Sequence, residues 1–334
     1  MTDRLSRLLA ERPVLLADGA TGTNLFAMGL VSGEPPEIWL TLHPDRIAAL
    51  HRSFVEAGSD IILTNSFGAN RFRLKLHAME DQAYAINRLA AAIARRVADA
   101  AGREVVVAGS IGPTGELFEP LGALTMAAAE DGFAEQARGL KDGGADVAWI
   151  ETMSAEEELE AAARAAVAAG LPYVITASFD TAGRTMMGMT PQALAALAAR
   201  LPVPPLAFGA NCGIGPGDLV ASVLAMSEAA PGAAIVAKGN CGIPVLVGDT
   251  VSYGGTPDLM GTYAQLARAS GARIIGGCCG TAPEHLVAMR RALDAGGVQP
   301  RPTFEAVEAS LGPITRPKEG EGRVRSGRRD RPAG

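Results

Sequence analysis

Aromatic side chains are scarce in this chain. Phe, Trp and Tyr make up 4% of its 334 residues, against a hydrophobic fraction of 48%. That excludes a ring-packed core, so Ala, Leu, Val and Ile must fill a large interior. Cysteine is equally sparse, with four in all, too few for a disulfide scaffold at this length. No run of about 18 apolar residues appears, which excludes a membrane-spanning helix. Nor is there an excess of positive charge. Thirty Lys and Arg against 36 Asp and Glu leave a formal charge of −6, with no electrostatic case for nucleic acid or an anionic membrane as partner. The opening MTDRLSRLLAERP is charged and lacks the long apolar core of a secretory signal. Together these absences predict a soluble, cytoplasmic protein. In a reducing compartment its few thiols are expected to serve a metal or catalysis.

What the chain does have is a repeat. Eight short apolar, β-branched runs each end in a glycine-rich or polar turn: VLLADGATG (14–22), DIILTNSFG (60–68), EVVVAGSIGP (104–113), DVAWIETM (146–153), YVITASFD (173–180), PLAFGANCG (205–213), AAIVAKGN (233–240) and RIIGGCCG (273–280). Between them lie Ala- and Leu-rich stretches with helical spacing. In HPDRIAALHRSFVEAG, Ile47, Leu50 and Phe54 fall on one face. Proline in the first turn of TPQALAALAARL and APEHLVAMRRAL marks helix starts, and Gly in EAGSD, DGGAD and ASGAR marks stops. From Asp18 to Gly277 the spacing averages about 37 residues per unit. Eight buried strands alternating with helices predict a parallel sheet. A single-domain (β/α)8 TIM barrel over residues 1–312 closes that sheet without open edges. An open doubly wound sheet is the rival, weakened by the lack of G-x-G-x-x-G after the first strand. Residues 313–334 hold seven Arg or Lys against three Asp or Glu and are expected to form a disordered basic tail.

In a (β/α)8 barrel the chemistry sits where strands end. Here those positions carry Asp18, Asn65 and Ser66, Ser110, Glu151, Cys212, Asn240 and Cys241, and the Cys278–Cys279 pair. All four thiols are thus predicted at one mouth. A disulfide between the adjacent pair would be strained, since neighbouring Cα atoms lie about 3.8 Å apart. Thiols converging on a metal explain the pair better. Soft ligands favour zinc, and three thiolates with an open fourth position suit a zinc that holds an incoming thiolate nucleophilic. That chemistry is alkylation of a thiol rather than hydrolysis. A lone buried Cys is usually a small hydrophobe, and a structural zinc knot would want four protein ligands. Lys238 could suggest a Schiff-base aldolase, but a lysine at a strand end is more often salt-bridged, and that chemistry leaves the cysteines idle.

Six motifs, in order, carry a resemblance: LLADGATGTNL, TNSFGAN, GSIGPTGE, WIETM, FGANCGIGP and GGCCGT. Over roughly residues 10–295 the chain resembles the zinc-dependent homocysteine S-methyltransferase family, which includes betaine-homocysteine methyltransferase and the homocysteine module of cobalamin-dependent methionine synthase. The resemblance implies a (β/α)8 barrel whose Zn2+ is held by Cys212, Cys278 and Cys279, and an S-methyltransferase that converts homocysteine to methionine. It also implies that Asp18 and Glu151 receive the substrate ammonium. Backbone amides of the DGATG and SFG turns, at Gly19, Ala20 and Ser66, are candidates for the substrate carboxylate, with Ser110 at the same mouth.

The methyl donor is less legible. The betaine enzymes surround their cationic donor with rings, yet the expected ring positions fall at Gly68 and Thr152, and Trp39 stands five residues from a third. KGNCGIP instead resembles the methionine synthase module, which implies that Asn240 caps the metal at rest and that Cys241 is a packed small residue. Betaine, another onium donor and methylcobalamin on a partner protein all remain open.

Overall fold

The computed structural model describes residues 3–247, 250–297 and 299–315. Its strands are β1 (Leu15–Leu16), β2 (Ile61–Leu63), β3 (Val106–Ile111), β4 (Val147–Met153), β5 (Tyr173–Ala177), β6 (Ala207–Cys212), β7 (Ile235–Gly239), β8 (Pro244–Val247), β9 (Thr250–Tyr253) and β10 (Ala272–Gly277). Eight of them form one parallel sheet in the order β1-β10-β7-β6-β5-β4-β3-β2. A parallel bridge between Ala17 and Ile61 joins the two ends. This is the expected (β/α)8 barrel, with each run quoted above contributing one strand. The antiparallel hairpin β8–β9 is an insertion after β7 that the repeat does not signal.

Strand side chains alternate between two apolar clusters, as the two-residue period requires. Leu15, Ile61, Leu63, Val106, Val147 and Trp149 belong to the smaller cluster, whereas Leu16, Ile62, Val107, Ala148 and Ile150 pack in the larger one with the helices. Leu5 and Leu8 join the smaller cluster. The charged lead-in is therefore a helix, Arg4–Glu11, whose apolar face plugs the barrel floor. Arg273 locks it there by donating to the carbonyls of Leu9, Arg12 and Pro13.

Helix starts follow the predicted chemistry. Thr190 caps Pro191–Arg200 by accepting from the Ala193 amide, and Pro283 opens Pro283–Ala295. Stops do as well. Gly58 has φ +102°, and a Cβ there would lie 2.8 Å from the Arg290 side chain, so both backbone and packing demand glycine. No described helix is long and apolar enough to cross a membrane. The tail expected from residue 313 lies outside the described residues from 316 onward. Before that point the amides of Ile314 and Thr315 donate to Glu308 and Asp218.

Candidate active site and metal centre

Cys212 ends β6 and the Cys278–Cys279 pair follows β10. Their three sulfurs lie within 4.8 Å of one another, the only such group of potential metal ligands among the described residues. The Sγ atoms of Cys212 and Cys279 are 4.0 Å apart, and all four cysteines are free. Backbone bonds fix the adjacent pair: the Cys278 amide donates to Gly239, and Cys279 accepts from the Cys241 amide. Cys212 itself sits at φ +61°, a strained conformation for a residue with a Cβ and one that clusters at functional sites.

Crowding three thiols makes their ionisation unequal. Hydrogen bonds from Cys212 and Cys278 hold Cys279 low, while those same contacts and burial push Cys212 far up. One proton leaves readily and the others do not, unless a cation compensates. A soft divalent metal fits this donor set. Asn240 adds a second indication. Its Nδ2 donates to the Gly213 carbonyl, while its Oδ1 is buried without a partner among the described residues, a costly state that a metal or ligand would relieve. Cys241 is fully buried in the apolar core and donates to the Gly255 carbonyl, outside the sulfur group.

The sulfurs border a cavity of about 630 Å³ that Glu151, Lys238 and Ser110 also line. Glu151 accepts from the Ser110 hydroxyl at 2.5 Å. Burial pushes its carboxyl up to about 7, against the pull of Lys238. The β4–β5 register shifts between Ile150 and Met153, so Glu151 and Thr152 occupy a bulge that re-aims them toward the cavity. Thr152 has φ +63°, an outlier for a β-branched residue. Buried Asn211 holds it: Oδ1 accepts from the Thr152 amide at 2.8 Å and from Thr176, and Nδ2 donates to the Thr152 hydroxyl.

Several expected site residues take other tasks. Asp18 is fully buried and both its oxygens are occupied. Oδ1 pairs with Lys238 Nζ at 2.6 Å, and Oδ2 accepts from the Leu63 amide at 2.7 Å. It positions Lys238, and Glu151 rather than Asp18 is the carboxylate that lines the cavity. The Ala20 and Ser66 amides donate to Thr281 and Thr64, so neither is free for a substrate carboxylate. The Ser66 hydroxyl is spent on the Ser110 carbonyl. Gly19 does line the cavity, packed so closely that a Cβ would lie 2.5 Å from the Thr281 carbonyl.

The residues missed by sequence reasoning lie mostly in short elements at the mouth: Phe26 in the helix Thr21–Ala27, Glu37 in the 3-10 turn Pro36–Ile38 and Phe67 in the turn after β2. Glu37 is buried at the cavity wall and accepts from the Gly68 amide at 2.6 Å. A Cβ at Gly68 would lie 3.0 Å from that carboxylate, so an acid occupies the place where a ring was sought. Phe26 and Phe67 line the same outer end, both partly exposed. The GEPPE stretch offered no strand or helix period from which Glu37 could be placed. Lys238 was legible only as a salt-bridged residue, which it is, and it also lines the cavity.

Comparison with known proteins agrees with this geometry. The homocysteine S-methyltransferase family profile matches residues 15–293. The methionine synthase of Mycobacterium tuberculosis is 34% identical over 301 residues, covering 85% of this chain and 25% of that protein. The methionine synthase of Mycobacterium leprae is 33% identical over 298 residues, covering 84% and 24%. The chain thus spans about a quarter of the length of these curated relatives. Among solved structures, the metallated homocysteine methyltransferase MmuM from Escherichia coli superposes with a TM-score of 0.73 at 25% identity, covering 86% of this chain and 99% of that one. With the barrel, the ordered motifs and the three-thiol centre in agreement, the chain belongs to the homocysteine S-methyltransferase family.

Proposed function

We propose that the chain transfers a methyl group to the sulfur of homocysteine, giving methionine, with a zinc ion held by Cys212, Cys278 and Cys279. The observation that carries this reading is the three-sulfur cluster opening onto a cavity that also holds Glu151. When bound, zinc supplies a soft Lewis acid that keeps a substrate thiol deprotonated at neutral pH. The chain's own residues do the rest. Glu151 receives the substrate ammonium and is held in place by Ser110. The Asp18–Lys238 pair keeps a cation beside Glu151 and favours its ionised form. The Asn211 clamp holds the bulge that presents Glu151. The sulfur then attacks the donor methyl in line. An S–C bond forms, and the donor heteroatom departs with the electron pair of the broken bond.

For the donor we favour an onium compound whose positive centre lies near Glu37 and Phe67 at the outer end of the cavity. A carboxylate attracts such a centre by charge, where the betaine enzymes use rings. Because the ring positions of the betaine enzymes fall at Gly68 and Thr152, betaine alone is expected to give weak turnover or none. A second reading, methylcobalamin on a partner protein, draws on the methionine synthase relatives and on the unpaired Asn240 oxygen. The test is methionine formation by zinc-loaded protein with homocysteine and, in turn, betaine, a methyl sulfonium amino acid and a methyl-corrinoid protein. Turnover with the sulfonium supports the first reading, and turnover with the corrinoid protein alone supports the second. No methionine from any donor overturns both.

A further inference from the structure

The barrel floor holds a second cavity, of about 560 Å³, on the face opposite to the cysteines. Arg12, Arg103, Arg268 and Arg290 line it with only two carboxylates, Asp60 and Asp294, a local surplus of two positive charges. Asp60 is buried and already shared three ways. Arg12, Arg103 and Arg290 approach it at 2.7, 3.6 and 3.4 Å. Asp294 is paired with Arg290. Arg268 donates through Nη1 to the Leu293 and Gly296 carbonyls and has no carboxylate partner among the described residues. Nε and Nη2 of both Arg12 and Arg268 make no hydrogen bond among the described residues, leaving two guanidinium edges open at one cavity. Such edges match oxyanion geometry. Burial foremost, with the neighbouring Arg12 and Arg290 charges added, lowers the Arg103 pKa despite Asp60.

The cavity lies beneath the thinnest joint of the barrel. β1 has two residues, and its contact with β2 is the single Ala17–Ile61 bridge. Asp60 reinforces that joint by donating its amide to the Leu16 carbonyl and accepting from the Leu16 amide. Arg12 leads into β1, Gly58 and Asp60 lead into β2, and Arg268 and Arg290 come from the helices on either side of β10, Pro257–Ala269 and Pro283–Ala295. We infer that this floor cavity binds a small phosphate-type oxyanion, free or as a phosphomonoester, through Arg12 and Arg268, and that the bound anion clasps the β1–β2 seam.

The inference is independent of the methyl-transfer reading. Its test is thermal unfolding and isothermal titration of zinc-loaded, full-length protein with inorganic phosphate and with AMP, each against KCl at matched ionic strength. Phosphate should raise Tm beyond the KCl control. The double variant Arg12→Gln/Arg268→Gln, which leaves Arg103 and Arg290 on Asp60, should lose that rise and weaken affinity by roughly tenfold or more. Arg52→Gln/Arg96→Gln removes the same charge from exposed helix positions and should respond as the wild type does. Arg12→Lys, which keeps the charge without the planar fork, should weaken binding and covers the case of a poorly folding double variant. AMP binding at least as tightly as phosphate identifies a phosphomonoester, and phosphate binding alone identifies the free anion. A response to phosphate no larger than to KCl, or an undiminished response in the Arg12/Arg268 variant, overturns the site.

Discussion

The two ends of the barrel treat charge and strain in opposite ways. At the floor, Asp60 is surrounded by guanidinium groups, and Leu5 and Leu8 seal the interior. At the mouth, three thiols crowd together, Glu151 is held near neutrality, the Asn240 oxygen lacks a partner, and Thr152 and Cys212 occupy the left-handed region. The floor holds its own carboxylates satisfied and leaves cationic edges open, whereas the mouth leaves sulfurs and an amide oxygen suited to a cation. Unsatisfied and strained groups cost stability, so a fold retains them where function requires them.

This contrast can be broken first at the sulfurs. Cys279→Ser should remove most bound zinc and abolish methyl transfer, while the barrel still folds. Metal analysis and a methionine assay read both, and equal zinc in the variant and the parent sinks the ligand assignment. At the other end, Asp60→Ala should leave its arginines facing one another and cost about 3–5 kcal/mol of stability. Denaturant unfolding measures this, and a cost near zero would mean that the floor network is only a solvated surface.

Glu151→Gln should weaken homocysteine binding by about 1.5–3 kcal/mol through loss of a charge-assisted contact, without changing zinc content. The same variant sharpens the comparison through pH. Glu151 is raised from 4.5 to about 7 in the folded chain, so folding binds its proton more tightly than the unfolded state does. The stability it contributes is complete below pH 4.5 and is lost as pH rises through about 7. Metal-free Glu151→Gln should therefore gain on the wild type between pH 5 and pH 8, by roughly 2–3 kcal/mol. A difference that stays flat across that range would contradict a raised carboxyl. The smallest effect concerns strain. Thr152→Gly should relieve about 1 kcal/mol at the bulge yet raise KM for homocysteine, because the Asn211 clamp loses the Thr152 hydroxyl. Unfolding and steady-state kinetics together separate the two contributions.

The barrel was legible because its signals are local. Each unit announces itself by a short apolar run, and several add a proline at a helix start or a glycine at a helix stop, as at Pro191 and Gly58. The cysteines were legible for a related reason. Residues at the ends of parallel strands must meet at one mouth, so Cys212 and Cys278, far apart in the chain, were placed together by topology alone. Asp18 shows where this stops. Its position at a strand end was correct, but its partner is Lys238, 220 residues away, and no periodicity reports which of two nearby acids is already occupied. The acceptors of the Ala20 and Ser66 amides were equally illegible, since Thr281 and Thr64 are brought to them by neighbouring turns. Glu37 lies in a single 3-10 turn, Pro36–Ile38, too short to show a period.

The sequence by itself thus determined the eight-unit barrel, the face that carries the chemistry and the soft-metal character of the site. Hydrophobic period, turn residues and thiol chemistry are properties of short segments and survive without knowledge of contacts. Only the tertiary structure decided which carboxylate lines the cavity and which pairs with Lys238, which backbone amides are already bonded, and where the chain is forced to positive φ. Those outcomes depend on hydrogen bonds between segments distant in the chain. A buried acid such as Asp18 or Glu151 takes its role from the partner that reaches it first.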